Sequence, residues 1–277
     1  MEIKTVWGVY FSATGTTQKV VTTLAKDVAQ GLGAEYKEFT FNSPAVRKEP
    51  LEFAAGELVV LGVPVYAGRV PNLILPYVQG MIHGNGALAV PVVLYGNRNF
   101  DDGLMELRNV MRDNGFHPVT AAAIVGEHSF SRTLGAGRPD GDDMALVAQL
   151  AEKTVETVKA LTEAPTQAVE VEGCDPIRPY YTPRDRHGEP IKDFLKAKPM
   201  TDPDKCVKCG LCARLCPMGS IDPNDVSSVV GKCIKCCACV KKCPMGAKYF
   251  DHEGYLYHQH ELEEVYGVRR AESKIFF

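Results

Sequence analysis

The most constraining feature of this 277-residue chain is a cysteine pattern that occurs twice, 27 residues apart. Each copy has the form C-x2-C-x2-C-x3-C-P, as CVKCGLCARLCP from residue 206 and CIKCCACVKKCP from residue 233. Three cysteines within seven residues crowd their thiols into one tight loop, and the proline after the fourth ends that loop. Nine of the ten cysteines lie in this region, and none lies in residues 1–173. Such spacing favours metal ligation over disulfide bridges.

A pair of zinc sites is the alternative, but zinc usually takes two Cys-x-x-Cys pairs separated by a longer spacer. The double run instead resembles the bacterial two-[4Fe–4S] ferredoxins over residues 201–250. The resemblance implies that the fourth cysteine of each run binds the cluster of the other run. One cluster would then be held by Cys206, Cys209, Cys212 and Cys243, and the other by Cys233, Cys236, Cys239 and Cys216. About 50 residues bury little core, so bound metal is expected to supply much of the folding energy.

Two cysteines fall outside this ligand set. Cys237 stands where the first run has Gly210, and we expect a small buried thiol beside a cluster. Cys174 lies in a proline-rich stretch, and the pattern assigns it no redox role.

Residues 1–162 alternate apolar runs with amphipathic helical patterns. Near-continuous apolar runs are typical of parallel strands buried on both faces, so we predict a doubly wound α/β domain. Pro91 is expected at the first residue of its strand, because proline cannot donate to the hydrogen-bond ladder. The predicted strands are Val6–Phe11, Glu35–Phe39, Leu58–Val65, Val90–Tyr95 and Pro118–Val125.

The stretch FSATGTTQ joins the first predicted strand to the first helix. Its glycine permits close backbone approach to an anion, and its hydroxyls surround the helix N-terminus, where phosphates bind. The loop contains no lysine and no P-loop motif, which disfavours a nucleoside triphosphate and points to a mononucleotide. An ordinary hydroxyl-rich helix cap is the alternative. The candidate phosphate contacts are Ser12, Thr14, Gly15, Thr16 and Thr17.

Two further loops, PVYAGRVPN at 64–72 and YGNRNFDDG at 95–103, follow the third and fourth predicted strands. Each supplies glycine and an aromatic ring at the sheet edge where ligands bind. The three loops in this order resemble the flavodoxins over residues 1–162. The resemblance implies FMN as cofactor and a five-stranded parallel sheet in the order 2-1-3-4-5. The candidate contacts to its isoalloxazine ring are Tyr66, Gly68, Gly96, Asn97 and Phe100.

Three charged residues near these loops remain open to two interpretations. Arg69 or Arg98 could lie near the flavin or could be solvated at the rim. His128, beside Glu127, could reach a substrate above the flavin or could be structural.

The chain is therefore predicted to contain a flavodoxin-like domain (1–162), a proline-rich linker (163–200), a two-[4Fe–4S] ferredoxin domain (201–252) and a tail (253–277). We expect an electron-transfer protein that couples the one-electron steps of clusters to the one- and two-electron steps of FMN. The alternative is an FMN-dependent reductase of a small organic substrate or quinone, with His128 or Tyr66 as the candidate acid.

Charge and hydropathy narrow the expected partners and location. The net charge is −3, with 14 Lys/Arg against 18 Asp/Glu in residues 1–163 and 17 against 16 afterwards. Neither part is basic enough to indicate nucleic-acid binding, and no apolar run reaches the roughly 18 residues of a membrane span. The start lacks a signal-peptide pattern, so a cytoplasmic protein is expected. Because low-potential clusters of the ferredoxin type are usually oxygen-sensitive, the resemblance also implies an anaerobic host. The expected partners are redox proteins, and a head-to-tail homodimer is possible.

Overall fold

The computed structural model describes residues 1–277, and residues 1–162 form a sheet with helices on both faces. The strands are β1 (Thr5–Tyr10), β2 (Glu35–Thr40), β3 (Leu51–Glu52), β4 (Glu57–Pro64), β5 (Ile82–His83), β6 (Leu88–Tyr95), β7 (His117–Pro118), β8 (Ala121–Val125), β9 (Met200–Thr201), β10 (Lys248–Tyr249) and β11 (Lys274–Phe276). The helices are α1 (Thr16–Leu32), α2 (Leu75–Met81), α3 (Gly103–Asp113), α4 (Gly141–Ala160), α5 (Leu211–Leu215), α6 (Ala238–Lys241) and α7 (Glu253–Tyr266). No helix combines the length and apolar character needed to cross a membrane.

Five parallel strands form the centre of the main sheet, in the order β2-β1-β4-β6-β8. This is the 2-1-3-4-5 order of the flavodoxin-like doubly wound fold, so the predicted fold class is confirmed. Helices α1 and α4 cover one face of the sheet, and α2 and α3 cover the other. The strand order reverses between β1 and its neighbours, which places a ligand-binding crevice at the carboxyl ends of β1 and β4.

The prediction that Pro91 begins its strand is wrong. Strand β6 begins at Leu88, and Pro91 lies inside it, opposite Leu61 of β4. On its other side, β6 pairs with β7 only as far as Ala89 and with β8 only from Val92. The proline therefore occupies the gap between two short strands, where the ladder needs no N–H donor.

The last residues of the chain complete the main sheet. Strand β11 pairs antiparallel with β8, so that Ile275 lies opposite Ala122. The hydroxyl of Tyr95 donates to the carbonyl of Glu272 at 2.6 Å, and Ser273 Oγ accepts from the N–H of Val125 at 2.9 Å. A segment that carried no recognisable sheet signal thus covers the edge strand β8.

The proline-rich segment 163–200 runs along the first domain. The N–H of Val169 donates to the carbonyl of Pro118. The hydroxyl of Tyr180 donates to the main-chain carbonyl of Val70. Arg178 forms an ion pair with the buried carboxylate of Asp102, and this partner holds the Asp102 pKa at about 2. These contacts hold the segment against the sheet domain over much of its length.

The cysteine-rich region contains β9, β10, α5 and α6 and has little apolar core. The apolar clusters of the sheet contain 25 and 22 buried residues, whereas those that include the cysteine-rich region contain four and three. Stability of this region therefore needs a contribution other than apolar burial, as expected for a metal-dependent domain. Tyr255 of α7 stacks on Phe250, with ring centroids 4.0 Å apart, and joins the last helix to this region.

Candidate functional site

The loop after β1 leaves the N-terminus of α1 open to a ligand. Gly15 caps the helix with φ of 112°, a conformation that side chains disfavour. No side chain caps this end, and the first turn contains no acidic residue. The hydroxyl of Ser12, three residues before Gly15, accepts from the N–H of Gln18 at 3.0 Å and so satisfies one donor of the first turn. The first-turn N–H groups of Thr16 and Thr17 are thus available to an anion.

A cavity of about 460 Å³ lies at this helix end, at the carboxyl edge of the sheet. Loops after β1, β4, β6 and β8 contribute to it, as expected for a doubly wound fold. Its lining is Ala13, Thr14, Thr16, Thr17, Pro64, Val65, Tyr66, Leu94, Tyr95, Gly96, Gly126, Glu127, His128 and Ser129. The lining combines threonine hydroxyls from the loop and first turn of α1 with the aromatic residues Tyr66 and Tyr95. The lining fits a small molecule with a phosphate and a flat ring.

Of the five candidate ring contacts, Tyr66 and Gly96 line the cavity, and Gly68, Asn97 and Phe100 do not. A Cβ on Gly96 would approach His128 Cδ2 within 2.5 Å, so a glycine is needed there for close packing.

The other three have structural partners elsewhere. A Cβ on Gly68 would meet the carboxylate of Asp101 at 2.7 Å. The Asn97 amide donates to the carbonyls of Tyr266 and Arg269, at 2.8 and 2.9 Å. Phe100 is 5% exposed and packs in the apolar core against Tyr95.

The two arginines considered for the flavin each have a carboxylate partner. Arg69 pairs with Glu106 and lies over the ring of Tyr180. Arg98 pairs with Asp101 at 2.5 Å. Neither lines the cavity.

His128 contributes a hydrogen-bond donor to the cavity. Its Nδ1 accepts from the N–H of Phe130 at 3.2 Å, so the proton of the neutral ring is on Nε2. Burial lowers the pKa of His128 to about 3, with a smaller contribution from neighbouring positive charge. The ring is therefore neutral near pH 7 and offers Nε2–H as a donor rather than a transferable proton.

Sequence reasoning did not identify Ala13, Tyr95 or Ser129 as lining residues. All three lie at or just beyond the carboxyl ends of strands β1, β6 and β8. The predicted strands already ended at Tyr95 and Val125, as observed, so the available signal was the position of a residue at or just after the carboxyl end of a parallel strand.

The cysteines surround two further cavities, each of about 380 Å³. No three of their side chains converge closely enough to hold a single metal ion, and each set instead encloses a larger space. The first cavity is lined by Cys206, Cys209, Cys212, Cys239 and Cys243, so Cys239 borders both cavities. The second is lined by Cys216, Cys233, Cys236 and Cys239, with Cys237 beside them. The fourth cysteine of each run thus lies with the first three of the other.

The two runs have closely related backbones. Gly210 and Cys237 begin α5 and α6 with φ of 72° and 57°. The N–H groups of Ser220 and Ala247 donate to Cys216 Sγ and Cys243 Sγ, at 3.4 and 3.3 Å. Such N–H···S contacts stabilise a thiolate over a thiol.

Two buried cations are consistent with anionic groups in these cavities. Lys248 is 3% exposed and lines the first cavity, and Lys235 is 7% exposed and lies between Cys233 and Cys236. Neither forms an ion pair with a carboxylate, although a buried ammonium group ordinarily needs an anion. Thiolates on a cluster supply such charge, so the donor set fits iron–sulfur clusters.

The second cysteine cavity lies against the edge of the sheet that carries the first-described cavity. Cys236, Ala238 and Ala13 of the loop after β1 form one buried apolar cluster, and Tyr66 packs against it. Burial under this contact, with the nearby cysteines, raises the pKa of Tyr66 well above its usual range. The two candidate sites therefore share a wall.

Comparison with known proteins supports this division. Residues 198–244 match the family model of the 4Fe-4S dicluster domain. Together with the strand order of the sheet, this match defines a chain in which a flavodoxin-like α/β domain precedes a 4Fe–4S ferredoxin-type domain. No curated protein matches the chain.

Several solved structures resemble the first domain at low identity. A flavodoxin from the domain Archaea is 14% identical, with a TM-score of 0.41, over 57% of this chain and 99% of that one. A short-chain flavodoxin associated with a non-canonical PDU bacterial microcompartment is 16% identical, with a TM-score of 0.39, over 56% and 99%. A Fusobacterium nucleatum flavodoxin mutant bound to flavin mononucleotide is 16% identical, with a TM-score of 0.35, over 57% and 96%. The observed strand order, rather than these similarities, carries the fold assignment.

Proposed function

We propose that this flavo-iron–sulfur protein transfers electrons, in the cytoplasm, between two [4Fe–4S] clusters and an FMN bound in the same chain. When bound, the clusters would supply one-electron transfer and the flavin one- or two-electron transfer. The proposal rests on one observation above the others: Cys236 and Ala13 belong, with Ala238, to one buried apolar cluster, so a predicted cluster ligand lies beside the predicted phosphate loop. Joining both sites in one chain gives a high effective concentration of each for the other.

The residues proposed to hold FMN follow from the lining of the large cavity. Thr14, Thr16 and Thr17 would bind the phosphate with the N–H groups of the first helical turn. Ser12 would hold the loop in shape because its hydroxyl accepts from the N–H of Gln18. Gly15 would do so because it adopts the positive φ that the loop requires.

The flat ring would lie toward the opposite side of that cavity. Tyr66 and Gly96 would border it, and His128 would donate from Nε2. Gly68, Asn97 and Phe100 would support the surrounding loops through their packing and hydrogen bonds.

The cluster ligands are proposed to be the two crossed sets. The grouping of cysteines around the two cavities supports this assignment, as do the N–H···S contacts to the fourth cysteine of each run. We also propose domain limits of 1–162 and 201–252, with 163–200 as a linker held on the sheet and 253–277 as a tail that completes it.

Electron transfer is better supported than reduction of an organic substrate at the flavin. Tyr66 lies under the cysteine-rich domain, which limits the space for a substrate over its ring. His128 is neutral near pH 7, because burial lowers its pKa to about 3, and so it is a poor proton donor. The contact between the domains forms within one chain, so a head-to-tail dimer is not required for exchange. Separate redox proteins would serve as donor and acceptor.

Anaerobic purification with chemical quantitation tests the proposal. About eight iron atoms, eight sulfides and one FMN per chain are expected. Colourless protein, or protein with zinc in place of iron and no flavin, would contradict it. Reoxidation of the reduced protein by a small quinone, followed by stopped-flow absorbance, tests the reductase alternative. The reductase would be favoured if the quinone reoxidises the wild-type protein quickly and if His128→Ala slows this reoxidation but no other electron-transfer step.

A further inference from the structure

The dicluster domain buries two ammonium groups that have no carboxylate partner. Lys248 donates only to the carbonyl of Val226, and Lys235 donates to the carbonyl of Leu195 at 3.0 Å. Lys235 also lies 5.5 Å from the centroid of the Phe194 ring. Six other lysines of the chain have a carboxylate within 4 Å; five of them are 38–76% exposed, and the one that is mostly buried, Lys241, has Glu127 as its partner.

A carbonyl oxygen does not neutralise a buried positive charge. Removing an ammonium group from water costs several kcal/mol even after relaxation, unless an anion lies close by. The molecule therefore contains two cations whose counter-charges are not carboxylates.

The position of each lysine indicates its counter-charge. Lys248 lines the first cysteine cavity, together with Cys212 and Cys243. Lys235 lies in the second run, where its N–H donates to Cys233 Sγ at 3.4 Å. Lys248 thus lines the first cavity, whereas Lys235 does not line the second but lies in the chain between two cysteines, Cys233 and Cys236, that do. A [4Fe–4S] cluster with four thiolates carries roughly two negative charges when oxidised and roughly three when reduced.

We propose that Lys248 and Lys235 are the counter-charges of the two clusters, one for each, and that they raise the cluster reduction potentials. A fixed cation stabilises the reduced cluster more than the oxidised one, since reduction adds a negative charge. The inference rests on the proposed function, because it requires that both clusters be present. In this proposal the two lysines act on the clusters through their charge and do not bind iron, so the proposed cysteine ligands are unchanged.

The repeat provides a matched control for burial. Lys208 stands 27 residues before Lys235, with φ of 52° against 57°, so the two occupy equivalent backbone positions. Lys208 also borders the first cavity, but its side chain is exposed. Water screens an exposed charge, so Lys208 should affect the potential less than either buried lysine.

The test compares Lys248→Met, Lys235→Met and Lys208→Met in the full-length holoprotein. Iron, sulfide and flavin are counted, and the two cluster reductions are followed by electron paramagnetic resonance in a redox titration. We expect Lys248→Met to lower the reduction potential of one cluster by about 59 mV. At a fixed solution potential, the ratio of reduced to oxidised cluster would then fall about tenfold. Lys235→Met should lower the other potential similarly, and Lys208→Met should shift neither by as much.

The outcomes separate this inference from the proposed function. A wild-type protein without iron would contradict the proposed function itself. Fully loaded variants with unchanged potentials would overturn only the counter-charge inference, as would an equal shift in Lys208→Met. If Lys248→Met loses a cluster, Lys248→Arg should retain it, because the charge is kept. Loss of the cluster in both variants would also overturn the inference.

Discussion

The ammonium group of Lys241 donates a hydrogen bond to the main-chain carbonyl of His128 at 2.8 Å. Lys241 lies between Cys239 and Cys243 of the second run, whereas His128 lines the cavity at the edge of the sheet. The same ammonium group lies 3.4 Å from a carboxylate oxygen of Glu127. Burial lowers the Lys241 pKa, and Glu127 opposes that effect. A single side chain thus joins the dicluster domain to the loop after β8.

Replacing this lysine should weaken the contact between the domains. Lys241→Met removes a charge-assisted hydrogen bond from a partly buried place, so we expect a loss of about 1.5–3 kcal/mol in the free energy of unfolding. Lys242→Met is the control, because Lys242 is exposed and should change stability by less than about 0.5 kcal/mol. Denaturant unfolding of anaerobic holoprotein measures both. Equal losses in the two variants would show that the contact contributes nothing specific.

Adjacent cysteines should differ sharply in their effect on iron content. Cys236→Ser removes a proposed ligand, so about four of eight irons should be lost. Cys237→Ser should retain all of them, because its Sγ lies 3.2 Å from the hydroxyl of Tyr255 and the proposed ligand set does not include it. Iron and sulfide analysis of the two purified variants provides the measurement. Iron loss in Cys237→Ser would reassign the ligands of the second cluster.

The glycine at the start of α1 should be required for flavin binding. Gly15→Ala places a side chain at φ of 112°, which costs about 1–2 kcal/mol and distorts the loop. The flavin dissociation constant should therefore rise about tenfold, as measured by fluorescence titration.

The control is Gly80→Ala in α2, where no atom lies within 4 Å of the added carbon. Alanine favours a helix, so stability should rise by about 0.5–1 kcal/mol and flavin affinity should not change. Unchanged affinity in Gly15→Ala would argue against a phosphate at this loop.

The buried imidazole should make stability depend on pH below neutrality. Burial lowers the pKa of folded His128 to about 3, against about 6.5 in the unfolded chain, so only the unfolded state binds this proton between those values. The contribution of the neutral ring is complete above pH 6.5 and is lost as the pH falls toward 3. His128→Asn should therefore show a shallower decline of the thermal midpoint between pH 7.5 and 5. Parallel curves for the two proteins would show that the ring titrates normally.

Much of the fold could be predicted from local pattern. Buried parallel strands have few polar positions, so the apolar runs at Leu58–Val65 and Val90–Tyr95 identified two central strands near their observed bounds. The cysteine spacing likewise indicated the two sets, since a tight loop with a terminal Cys-Pro has few other uses. Both signals are local, because they depend on residues close together in the chain.

The positions of particular side chains were less predictable. An aromatic residue after a strand serves equally well in the core or at a ligand, and Phe100 lies in the core. Asn97 has a φ of 65°, as in a turn that could border a ligand. Its side-chain amide instead donates to a main-chain carbonyl of the C-terminal segment. Its partners follow about 170 residues later, and no local pattern connects them.

The sequence alone therefore determined the α/β class of the first domain and the two tight cysteine loops, and its family resemblances implied the strand order, which is confirmed, and the crossed cysteine sets, which stay a prediction. Only the tertiary structure decided that β11 closes the edge of the sheet and that Cys236 and Ala13 share an apolar cluster. The physical reason is the range of the interactions. Periodicity and ligand spacing reflect forces between near neighbours in the chain, whereas docking of the domains depends on surfaces assembled from distant segments.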